Sequence, residues 1–98
     1  MVRVVRTAKS LDGRLRLKSN EKPFSQREVF DAKEIGSALK LRRRELGLSQ
    51  EDVAKMTGHS IRVIGDIDRG KASVGIGIVL DYASLVDIDV VLKVRGRQ

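Results

Sequence analysis

The side chains of this chain best suited to act on a partner are cations. Lys and Arg number twenty against thirteen Asp and Glu in 98 residues, a formal net charge of +7. Such a surplus attracts polyanions, and its placement matters more than its size. Residues 1–23 hold seven basic groups against Asp12 and Glu21, and residues 93–98 add Lys93, Arg95 and Arg97. Between them, residues 24–92 carry ten basic and eleven acidic groups and are close to neutral. Attraction to phosphate is therefore expected to depend on the two basic ends. Within the neutral body stands Arg62, a cation whose planar guanidinium fork can make paired hydrogen bonds.

Other chemistries lack their residues. There is no cysteine and one histidine, His59, so disulfides and thiolate metal sites are excluded and no metal centre is expected. No Ser/His/Asp set or paired-carboxylate pocket is visible, and Gly75-Ile76-Gly77 lacks the rest of a dinucleotide fingerprint. Neither an enzyme nor a cofactor is expected. No apolar run approaches the ~20 residues that span a bilayer, and Arg3 interrupts Val2 to Val5. The chain reads as a cytoplasmic protein without membrane contact, one domain with a modest core.

The elements that must position Arg62 can be read from spacing. Ser49, with Asp52 three residues on, can cap a helix that starts near Gln50. Ala54 is small enough for a second helix to cross closely, and Gly58 can take the positive φ that turns the chain at once. Ser60 then caps a second helix, which Gly70 closes. In it Ile64 and Ile67 face back toward Val53 and Ala54, while Ile61, Arg62, Gly65, Asp66 and Arg69 face elsewhere. Two short helices joined by a tight glycine turn form a helix-turn-helix signature, and that points to DNA.

Around this motif, Asp31 and Glu34 can cap a first long helix of about Ala32 to Leu46, striped by Ile35, Ala38, Leu39 and Leu46 and stopped by Gly47. Lys40, Arg42 and Arg44 are read as covering its other faces. Ile76, Val79, Leu80, Ala83 and Val86 predict a fourth helix. Ile88, Val90, Leu92 and Val94 then change the period to two, for a strand of about Ile88 to Arg95. A lone strand leaves its backbone groups unpaired. It needs the N-terminal strand of its own chain or the same strand of a second chain, and a two-fold dimer closed by these strands is preferred. Ahead of Pro23, residues 1–22 read as either a hairpin turning at Asp12-Gly13 or a basic arm, and Ser25 with Glu28 resembles a capping box for a turn of helix. The expected division is a basic segment over residues 1–30, a helix-turn-helix domain over 31–87, and a dimerisation strand with basic tail over 88–98.

From Ile35 to about Val86 the chain resembles the Cro/CI (XRE-like) helix-turn-helix family. The matching residues are Ile35-Gly36, Leu39, Arg43, Gly47-Leu48-Ser49-Gln50, Ala54, Gly58, Ile64, Asp68-Arg69-Gly70 and Ala83. The strand after the fourth helix resembles, further, the HipB-type antitoxins, whose dimers pair such strands. The resemblance implies a mainly α fold, a lambda-repressor-like bundle of four to five helices with a C-terminal strand paired across a homodimer. It implies that Ser49, Gln50, Arg69, Lys71 and Ser73 meet DNA phosphates and that Ser60, Ile61, Arg62, Gly65 and Asp66 form the base-reading face. It also implies that Arg43 and Asp68 form a structural ion pair and are not readers. Ile61 stands where an amide or hydroxyl is common, and Asp66, four residues after Arg62, can orient that guanidinium, accept from cytosine N4 or repel phosphate.

The function implied is a repressor of a palindromic operator in double-stranded DNA and, in its finer form, the autoregulating antitoxin of a HipBA-like pair with a HipA-like kinase as partner. A stand-alone or phage-type repressor is the alternative within this class. A protein-interaction adaptor built on the same fold is the alternative outside it.

Overall fold

A computed structural model describes residues 2–6, as backbone, and residues 26–96. Among them are three strands, β1 (Val2–Arg6), β2 (Arg27–Val29) and β3 (Ile88–Leu92), and four helices, α1 (Ala32–Glu45), α2 (Gln50–Thr57), α3 (Ile61–Asp68) and α4 (Ile76–Leu85). None of these helices is long and apolar enough to cross a membrane.

Each of the first three helices begins where its orphan amides find an acceptor. Asp31 caps α1, accepting from the Glu34 amide at 2.8 Å. Ser49 and Asp52 form a reciprocal capping box on α2, at 3.0 and 2.8 Å. Ser60 accepts from the Val63 amide at 3.1 Å at the head of α3. Gly58, at φ 80°, ends α2 and turns the chain into α3. Gly36 matters for a different reason: a Cβ there would lie 2.1 Å from the Ile67 carbonyl oxygen. Helices α1 and α3 thus touch backbone to backbone, which only glycine permits.

The core joins α1, α2, α3 and α4 through Leu39, Val53, Ile64, Tyr82 and Val86, with Ala54, Ile67, Ala83 and Ile88 also buried. The sequence reading placed Arg42 on an outer face of α1, and the structure corrects it. Arg42 is fully buried, its Nε donating to the Val86 carbonyl at 3.0 Å and its Nη1 to Glu45 at 3.2 Å. The spacing explains this. Position 42 falls seven residues after Ile35 and three after Leu39, on the apolar stripe itself.

The strands form one antiparallel sheet in the order β2-β1-β3. β1 pairs Val2 to Val29 and Val4 to Arg27 on one side, and Val2 to Leu92 through Arg6 to Ile88 on the other. Of the two partners open to the C-terminal strand, the one on this edge is the strand of its own chain, not a second copy. The strand also ends at Leu92, where the ladder with β1 runs out, so Val94 lies beyond it. Glu28, read as part of a helical cap, lies instead in β2, because its segment completes the far side of β1. The Asp12-Gly13 turn lies outside the described residues, and both edges of β1 at Val2–Val4 are taken by other strands.

Candidate nucleic-acid interface

Beneath α3, a buried polar network is centred on Asp68. Its Oδ2 accepts from Arg43 Nη2 at 3.0 Å and Gln50 Nε2 at 2.9 Å, and its Oδ1 accepts from the Tyr82 hydroxyl at 2.7 Å. Arg43 also donates Nε to the Tyr82 oxygen at 3.0 Å and Nη1 to the Leu48 carbonyl at 2.8 Å. One carboxylate and one guanidinium therefore tie α1, the α1–α2 loop, α2, α3 and α4 together. Burial and then the Asp68 carboxylate push the Tyr82 hydroxyl well above its ordinary range, so it stays a donor. The sequence reading passed over Tyr82. Its signal was spacing, since it lies three residues after Val79 and four before Val86.

The network changes what Gln50 can offer. Its side-chain nitrogen is committed to Asp68, leaving the backbone amides at the head of α2 as the groups aimed outward. Ser49 is exposed beside them, its oxygen accepting the capping bond from Asp52.

On the outer side of α3, Ser60 and Arg62 are exposed and Ile61 is 51% exposed. Arg62 has no ion-pair partner among the described residues, and Asp66 does not orient it. Asp66 instead holds Arg69 through Nη2 on its Oδ1 and Lys71 at 3.7 Å on its Oδ2. The two cations expected at phosphates thus share one carboxylate. Gly65 does not belong to the exposed face: it is buried, and a Cβ there would meet Arg69 Nη1 at 3.1 Å and Gln50 Oε1 at 3.7 Å. Ser73 is exposed in the loop before α4. His59, in the turn, meets Asp81 of α4 at 2.8 Å and braces the turn from behind.

Two capped helices crossing over a glycine turn, with the second offering an exposed polar face beside the first one's N-terminus, define a helix-turn-helix DNA-binding fold. Residues 39–92 match the helix-turn-helix family of XRE/Cro–CI type, and the protein belongs to this family of DNA-binding regulators. Among curated proteins, none matches the chain.

Proposed function

We propose that the protein is a dimeric transcriptional repressor that seats α3 in the major groove of a palindromic operator. The observation that carries this reading is Arg62, exposed and free of ion pairs among the described residues, on a helix whose inner side is fixed by the Asp68 network. Arg62 reads a guanine, Ile61 meets a thymine methyl, and Ser60 contributes its hydroxyl. The amides at the head of α2, with Ser49, hold one phosphate, and Arg69, Lys71 and Ser73 approach the backbone at the other end of α3. Footprinting on the protein's own promoter tests this, with two protected half-sites expected about one helical turn or a multiple apart.

The basic residues of 1–23 add affinity without reading sequence. β1 is the central strand, so deleting that segment would also disturb the fold. Neutralising Arg14, Arg16 and Lys18 is the cleaner test, and it flattens the salt dependence of binding.

The finer reading is an antitoxin that represses its own operon and binds a HipA-like kinase. Its support is the strand that follows α4, with apolar Leu92 80% exposed on it. Co-purification with a neighbouring kinase product is the expected result. A stand-alone repressor binds its operator and captures no such kinase, and an adaptor leaves no footprint.

A further inference from the structure

Between the end of β2 and the loop after α3 the surface opens into a cleft of about 370 Å³, within the size range of small-molecule sites. Buried Val29 and Ile67 and half-buried Ile35 and Val79 line it. Phe30 and Ile76 line it too, yet they are 69% and 66% exposed. Large apolar side chains left open around one concavity mark an interaction site. These six residues come from β2, α1, α3, α4 and the link between β2 and α1. One chain thus encloses the cleft from several sides, which suits a compact guest.

Its polar lining favours one sign of charge. Among the described residues the polar side chains that line it are Asp31, Lys71 and Arg95. The Asp31 carboxylate is engaged as the cap of α1, accepting from the Glu34 amide at 2.8 Å. Lys71 is held loosely, its Nζ 3.7 Å from Asp66 Oδ2, while the other oxygen of that carboxylate is taken by Arg69. Arg95, exposed beyond the end of β3, has no ion-pair partner among the described residues.

Hydrocarbon walls beside two cations call for an anion with an apolar body. A sugar or a nucleobase would find only the engaged Asp31 side chain to accept from its donors, and unpaired donors are costly to bury. We propose that the cleft binds a small amphipathic carboxylate of fatty-acid type. Its chain lies against Ile35, Ile67 and Val79, and its head pairs with the Arg95 fork and Lys71. Occupancy also bears on DNA, and this consequence alone rests on the repressor reading. Ile67 belongs to α3, and Lys71 is one of the cations assigned to the operator backbone. A carboxylate on Lys71 competes with phosphate for it, so ligand and operator weaken each other by the same factor.

Calorimetric titration of the full chain with decanoate, without DNA and below the micellar concentration, tests the site. One decanoate per chain is expected, with octanoate about tenfold weaker for its two missing methylenes and acetate without measurable binding. Decanol, which keeps the tail and lacks the charge, binds about tenfold more weakly than decanoate. Arg95→Gln weakens decanoate by about the same factor and leaves decanol as it was, with circular dichroism unchanged. Ala72→Phe, in a loop position that lines the cleft, places a ring there and abolishes both. A wild-type chain that takes up no decanoate overturns the site, as do two variants that bind it like the wild type. A second copy as occupant is read by sedimentation: an Ala72→Phe chain that dissociates from dimer to monomer makes the cleft an interface and overturns the ligand. Saturating decanoate is expected to weaken operator binding about fivefold or more in fluorescence anisotropy, and an unchanged affinity overturns the coupling. A chain that binds no operator refutes the repressor reading, and the titration still decides the cleft.

Discussion

The two sides of α3 treat charge in opposite ways. On the inner side, Asp68 receives hydrogen bonds from Arg43, Gln50 and Tyr82, each within 3.0 Å. On the outer side, Arg62 stands without an ion-pair partner among the described residues, while Asp66 offsets Arg69 and Lys71. The directed, charge-assisted hydrogen bonding is invested in holding the helix, and little charge is left to what the helix faces. Recognition by such a helix depends on being placed correctly more than on attraction. The surplus of positive charge lies instead in residues 1–23 and 93–98.

This contrast can be broken at graded points. Removing the inner side has the largest effect. Arg43→Ala leaves a buried Asp68 carboxylate short of its cation and costs about 3–5 kcal/mol of folding stability, read as a large fall in melting temperature. An unchanged melting temperature would sink the network's structural role.

Arg62→Ala acts on the outer side alone. It costs about 1–3 kcal/mol of operator affinity, roughly tenfold to over a hundredfold, with melting unchanged. The binding isotherm and the thermal melt together separate it from the first variant.

Asp66→Asn moves the other way. It releases Arg69 and Lys71, so binding tightens several-fold and its salt dependence steepens by about one to two counterions. Weaker binding would mean that Asp66 itself contacts a base.

The smallest effect is a pH dependence at the head of α2. The Ser49 amide, and then its hydroxyl, hold the Asp52 carboxyl below its ordinary value of 3.8. Its folded-state value is depressed, so its contribution is complete at neutral pH and disappears only as pH falls from about 4 through that lower value. Acid titration of Asp52→Asn against the wild type is expected to converge below this range.

The helices were legible because their signals are local. Ser49 with Asp52, Gly58, and Ser60 with its amide three residues on each act within one turn of chain. At Arg42 residue type and spacing point opposite ways, and spacing prevails. A charge on an apolar stripe is buried when a carbonyl such as that of Val86 and a carboxylate such as Glu45 wait for it. The sheet was harder to read, since β2 has three residues and its pairing partner lies far away in sequence. At the candidate site, the exposure of Arg62 follows from helical period. The fates of Gln50, Gly65 and Asp66 do not. Gln50 and Gly65 are decided by the packing of α2 on α3, where Asp68 takes the amide of Gln50 and Gln50 crowds Gly65, while Asp66 has several local partners within reach and is held by Arg69 and Lys71 rather than by Arg62.

The position of β1 also sets an order of events. Its partner residues Arg6 and Ile88, or Val2 and Leu92, are separated by about eighty to ninety residues, whereas the capped helices close over short loops. Contacts that join distant segments form slowly, because the intervening chain must first give up its freedom. On a ribosome, Val2–Arg6 emerges before Ile88–Leu92 and cannot complete its ladder until that strand follows. The helical bundle is therefore able to assemble before the sheet that frames it is sealed.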